Sequence, residues 1–184
     1  MDVLNAILRA TAVIGVFAAV SGGVQATQHT LEADVKAAYL YNFTRYVEWP
    51  AEAEKGSEPF RLCVLADPAI RNAIQRTVQG ETVQGRPLVM VAPDTPRDGQ
   101  QCQILYVGRS EQERAGQLLA AVRDQPVLTV GDFSHFTERG GMIEFLLQDN
   151  RVRFDVNLPR AQQSKLRVSS NLLRVARKVL EPPR

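Results

Sequence analysis

Between residues 60 and 131 the chain alternates short apolar runs with stretches of helical periodicity, and this alternation limits the fold more than any other feature. FRLCVLA (60–66), RPLVMVAP (86–93), CQILYVG (102–108) and VLTVG (127–131) are nearly unbroken apolar segments, as expected of strands covered on both faces. Asp67-Pro68 opens a helix with an acid cap and a proline in the first turn, and AIRNAIQRTV continues it to about Val78. Gly80 and Gly85 bracket ETVQ, a short extended piece. Ser110 heads a second helix, SEQERAGQLLAAVRD, with Glu113 at capping-box spacing and Leu118, Leu119 and Val122 facing inward. Strands alternating with helices imply a largely parallel sheet with helices on both sides.

The flanks complete this plan. Upstream, VKAAYLYNFTRYVEWP predicts a helix that Thr30 caps and Pro50 ends. Leu31, Val35, Ala38, Tyr39, Phe43, Tyr46 and Val47 fall on its expected buried stripe, and Asn42 on the same side would tie down a neighbouring loop. Downstream, Asp132 can cap a short helix FSHFTERG that ends at Gly140-Gly141. MIEFLLQ and RVRFDVN flank Asp149-Asn150 and read as a hairpin. In its second arm Val152, Phe154 and Val156 point one way, and Arg151, Arg153, Asp155 and Asn157 the other. After a short helix LPRAQQSK and the extended LRVS, the periodicity of SSNLLRVARKVLE predicts a final helix. Leu172, Leu173, Ala176, Val179 and Leu180 form its stripe, Ser169 or Ser170 caps it and Pro182-Pro183 end it. The fold class is therefore α/β: a single-domain sandwich, mostly parallel, with a C-terminal antiparallel hairpin and helices on both faces.

At the start of the chain, Arg9 precedes an apolar run over residues 10–20, followed by small and polar residues ending in Val24-Gln25-Ala26. This is the layout of a secretory signal peptide, 1–26, with an exported α/β domain over 27–184. The run is too short to span a bilayer, which takes about 20 residues. An exported chain with two cysteines, Cys63 and Cys102, points to a disulfide, the alternative being two separate buried thiols. The net charge is only +2, which argues against gripping nucleic acid through its phosphates.

Catalytic constellations are missing. The sequence has no nucleophile elbow, no His-Glu-x-x-His, no phosphate loop and no dinucleotide fingerprint. Its two histidines, His29 and His135, cannot build a transition-metal site with a bridged cysteine pair. Neither a metal nor a cofactor is expected. The carboxylates Asp132, Glu138, Glu144 and Asp155 leave a hydrolase as a minor alternative, although capping and hairpin polarity account for three of them. The C-terminal part is basic through Lys165, Arg167, Arg174, Arg177, Lys178 and Arg184, a surface suited to an acidic partner domain or anionic lipid heads.

KAAYLYNFTRYVEWP, LCVLAD, VLTVGD followed by FTERGGMIEF, and RVRFDVNLPRAQQSKLRVSSNLLRVAR occur in an order that resembles the YfiR family of periplasmic proteins. The pair Cys63 and Cys102 is similar to a disulfide of its best-known member, whose second, more C-terminal disulfide this sequence lacks. The resemblance implies a non-enzymatic repressor that binds the periplasmic sensor domain of an inner-membrane diguanylate cyclase, or serves another membrane kinase or receptor. An outer-membrane-linked lipoprotein sequesters such proteins, which raises cyclic di-GMP and favours biofilm. The fold it implies, an α/β sandwich that tends to dimerise, agrees with the order of elements.

The partner surface is expected between Phe145 and Arg177, with Phe145, Arg153, Lys165, Arg167, Arg174 and Arg177 as contact residues. Charge reversal at Arg174 and Arg177 is expected to weaken binding without lowering the melting temperature. A second candidate set, Tyr41, Asn42, Trp49 and Arg153, would line a pocket for a small aromatic or anionic molecule in a ligand-sensing alternative.

Overall fold

The computed structural model describes residues 22–51, 53 and 58–181. Helix α1 (Gly22–Tyr46) runs for 25 residues. It begins well before Thr30, which lies inside it rather than at a cap, since no proline or glycine breaks the backbone between Val24 and Thr30. The cleavage position expected after Ala26 falls within this helix, and residues 1–21 of the expected leader lie outside the described residues. The buried face is also turned from the expected one. Ala33, Lys36, Ala37, Leu40, Phe43, Thr44 and Val47 are buried, whereas Leu31, Val35 and Tyr46 are exposed and Asn42 is half-buried. Apolar residues line two sides of this helix, and the core takes the side whose small Ala33 and Ala37 permit close approach. The helix ends at Tyr46, short of Pro50, because β1 (Val47–Glu48) pairs antiparallel with residues 167–168.

The next elements follow the expected order: β2 (Phe60–Leu65), α2 (Pro68–Val78), β3 (Thr82–Val83), β4 (Arg86–Val91) and β5 (Ile104–Val107). The Asp67 carboxylate caps α2 by accepting from the Ala69 and Ile70 N–H groups at 3.0 and 3.2 Å. The helix expected from Ser110 is shorter. Tight bonds from Glu111 to Gly108 and from Gln112 to Arg109 form a 3-10 turn, and only α3 (Ala115–Ala121) is α-helical, so the Ser110 capping box does not form. Gly108 permits that turn, because a Cβ there would collide with Ala66.

After β6 (Leu128–Gly131), residues 132–141 form turns instead of a helix. The Phe136 ring lies over Gly131 and Gly141, where a Cβ on either would overlap it, and Gly140 turns with φ +95°. The double glycine therefore seats an aromatic side chain. β7 (Ile143–Gln148) and β8 (Arg151–Asn157) form the expected hairpin through Asp149 and Asn150, both with positive φ. α4 (Leu158–Gln163), β9 (Arg167–Val168) and α5 (Ser170–Val175) follow. The expected last helix stops after Val175. Its remainder becomes β10 (Lys178–Leu180), parallel to β8, as the Arg177 N–H donates to the Phe154 carbonyl at 2.8 Å.

One sheet of eight strands runs in the order β10-β8-β7-β6-β5-β2-β4-β3, and β4, β2, β5, β6 and β7 are mutually parallel. Alternate residues of β2 and β5 feed two cores. Leu62, Val64, Ile104 and Tyr106 pack beneath α1 and α2, while Leu105 and Val107 face α3 with Leu118, Leu119 and Val122. At the centre of the first core Phe43 stacks on Phe145 at 5.9 Å and meets Phe154 edge-on at 5.5 Å. This is the α/β class read from the sequence, with helices on both faces. Cys63 and Cys102 form the expected disulfide, which ties β2 to the chain entering β5.

Candidate functional site

The basic C-terminal residues lie on α5 and on the segments just before and after it in sequence. Ser169 caps this helix by accepting from the Leu172 N–H at 3.3 Å, and its own N–H donates to the Tyr46 carbonyl, so α5 is moored to the end of α1. Leu172 is buried beneath it. Outward, Arg174 and Lys178 are exposed and Val175 is 61% exposed, with Arg167 and Lys165 nearby in sequence and also exposed. Arg167 meets Glu48 at 3.5 Å with both side chains largely in water, a pair of little energetic weight. Lys165, Arg174 and Lys178 have no acidic partner within salt-bridge distance among the described residues, and Arg174 donates to Asn171. Exposed cations and an exposed aliphatic side chain on one C-terminal stretch have the character of a protein-docking segment. Arg184 lies outside the described residues.

Two expected contact residues are placed otherwise. Phe145 is 3% exposed, enclosed by Tyr39, Phe43 and Tyr106, so it can support a surface only from beneath. Arg177 is held by the buried carboxylate of Asp155 and cannot be reversed without disturbing the fold. Arg153 is exposed on β8.

The second candidate set draws on several elements. The Tyr41 hydroxyl donates to Glu81 at 2.6 Å, which raises its pKa. Trp49 is buried edge-on against Phe60, and its Nε1 donates to the Gln103 carbonyl at 3.1 Å. Half-buried Asn42 and exposed Arg153 belong to different elements, α1 and β8.

The carboxylates are equally dispersed. Glu138 pairs with His135 in water. Glu144 accepts from the His135 N–H and from Thr137 N–H and Oγ1, fixing the turns before β7. Asp155 belongs to Arg177. Asp132 is not a cap: its Oδ2 accepts from Lys36 Nζ at 2.6 Å and from the Tyr106 hydroxyl at 2.9 Å. Lys36 is buried and also pairs with Glu32. Burial first, and then the neighbouring Asp132 charge, hold the Tyr106 phenol well above its usual pKa. Neither Lys36 nor Tyr106 was a sequence candidate. The signal available was a lysine set among Ala33, Ala37 and Leu40 on one helix face, four residues after an acid. Of these four carboxylates only Asp132 lines a described cleft, so among the described residues they do not form the paired arrangement that hydrolysis by two acids needs.

In fold the chain is similar to a conserved domain protein from Vibrio cholerae, at 10% identity and a TM-score of 0.56, covering 80% of this chain and 60% of that one. It is similar also to the ABC domain in complex with L-Trp from Streptococcus pneumoniae, at 8% identity and a TM-score of 0.50, covering 66% of this chain and 55% of that one. It thus spans less than two thirds of either structure's length, and the likeness is one of fold. Residues 33–177 match the family model described as YfiR/HmsC-like, which takes in the core helix, the disulfide, the hairpin and the basic face, and the chain belongs to that family.

Proposed function

We propose that this protein is a periplasmic repressor that binds the periplasmic sensor domain of an inner-membrane diguanylate cyclase and so restrains cyclic di-GMP production and biofilm. Membership of the YfiR/HmsC-like family carries the coarse reading, a periplasmic regulator of diguanylate cyclase signalling rather than a catalyst. The docking face is the outer side of α5 with its approaches, which carry the exposed cations Lys165, Arg167, Arg174 and Lys178 and the exposed Val175. The single observation behind this placement is that these cations are exposed and without a buried carboxylate to satisfy them, in contrast to Arg177. Such a face selects an acidic partner, speeds encounter and loses strength in salt. Sequestration by an outer-membrane lipoprotein would compete for the same protein, and the repressor acts as a homodimer. The test is a titration of the purified cyclase sensor domain against wild type and Arg174→Glu. Binding by wild type that weakens about tenfold in the variant supports the reading, and absence of wild-type binding refutes it.

A further inference from the structure

The chain leaving α3 is tied to α4 by two donors on one acceptor: Arg160 Nη2 and Ser164 Oγ both donate to the Arg123 carbonyl, the hydroxyl at 3.3 Å. The turn before β7 closes a third side. Among the three segments lies a 230 Å³ cleft, with Arg123, Arg139, Arg160, Gln163, Gly116 and Gly140 in its lining. Arg139 sits over the Phe133 ring, 5.7 Å from its centroid, and that ring is itself buried edge-on against Phe136. Two of the arginines are therefore seated by contacts of their own before any ligand arrives, which lowers the ordering cost of binding.

Three arginines and no carboxylate line the cleft. None of the three is ion-paired among the described residues. Burial first, and then the neighbouring Arg123 charge, hold the half-buried Arg160 guanidinium below its ordinary pKa, with Asp124 opposing from outside the lining. Arginine stays charged even so, and an anion among these like charges turns repulsion into attraction. Guanidinium forks match phosphate oxygens in pairs. A carboxylate or a phosphodiester sets a single negative charge against three arginines, whereas a phosphate monoester brings about two, and a diphosphate at least as many. We propose that this cleft binds a small soluble phosphate monoester or diphosphate, its oxygens accepting from Arg123, Arg139 and Arg160. The site shares no residue with the docking face on α5.

The test is an NMR titration of the ¹⁵N-labelled protein with sodium pyrophosphate, with sodium acetate at matched ionic strength as the control. The expected result is saturable shifts at the amides of Gly116, Gly140 and Gln163 with pyrophosphate alone. Arg123→Gln should weaken binding about tenfold, as loss of a charged hydrogen bond implies. Its melting temperature should hold, because the Arg123 group that α4 uses is the backbone carbonyl. Gly116→Leu separates a built cleft from diffuse attraction between charges. A Cβ at Gly116 meets nothing within 4 Å, so α3 accepts the side chain, which narrows the cleft without altering its charge. Binding should again weaken about tenfold, while Arg174→Gln on the docking face leaves it unchanged. Equal shifts with acetate, no saturable response at the cleft amides, or binding that neither cleft variant alters would overturn the assignment. So would pelleting with phosphatidylglycerol vesicles that Arg123→Gln abolishes, since the arginines would then serve a lipid surface.

Discussion

Arg177 grips Asp155 with two hydrogen bonds across the β8–β10 seam, Nε donating to Oδ1 at 2.8 Å and Nη2 to Oδ2. The carboxylate is 7% exposed and the guanidinium 42% exposed, so the pair is buried from the acid's side. The bond to Asp155 raises the arginine's pKa further. Removing the arginine strands a buried charge, whereas an arginine on the outer face of α5 can be changed without such a debt. Arg177→Ala should therefore destabilise by about 2 kcal/mol, a buried-pair cost discounted for the solvent on the arginine's side. Thermal unfolding checks this, with Arg174→Ala expected to leave the melting temperature unchanged.

The Phe136 ring fills the space that side chains would take at Gly131 and Gly141. Gly141→Ala should cost about 1–3 kcal/mol through overpacking, since the ring is fully buried and cannot swing away. Denaturant unfolding measures the loss. The double variant Gly141→Ala/Phe136→Ala should cost less than the sum of its single changes, because the clash disappears with the ring.

Tyr106 is the phenol that the fold keeps protonated. Its folded pKa lies well above the ordinary value of 10.0, through burial first and Asp132 second. A raised folded pKa means that its contribution to stability is complete below the ordinary value and is lost as pH rises above it. In a spectrophotometric titration Tyr106 should ionise well above the ordinary value of 10.0, with unfolding, and Tyr106→Phe should delete that step.

The disulfide spans a sequence separation of 39 residues, and both cysteines are buried. In the chain-entropy description its loss should lower stability by roughly 4 kcal/mol. Cys63→Ala/Cys102→Ala should unfold at markedly lower denaturant than wild type, and mild reductant should act on the native protein only slowly.

Much of the fold was legible because strands and caps are local. The Asp67-Pro68 start of α2, the Asp149-Asn150 turn and the alternation along β8 each follow from residue type alone. The failures share one cause, a tertiary partner that periodicity does not see. The stripe of Val179 and Leu180 is equally good on a helix or beside β8, and the Arg177 N–H bond to Phe154 decides for the strand. Asp132 has the chemistry of a cap, yet Lys36, 96 residues away in sequence, draws its carboxylate beneath α1. On α1 two apolar stripes compete, and only packing against α2 and the sheet shows that Ala33 and Ala37 face inward while Leu31 and Val35 do not. The basic surface was readable as composition, but which of its arginines is structural depended on the position of Asp155.

The most direct measurement of the central claim is calorimetric titration of this protein into the isolated periplasmic domain of the diguanylate cyclase, run for wild type, Arg174→Glu and Lys178→Glu at low and high salt. The account predicts saturable wild-type binding that weakens with salt and in both variants while their melting temperatures hold. Saturable wild-type binding that neither variant nor salt alters would contradict the docking face, and no wild-type binding at all would contradict the repressor reading itself.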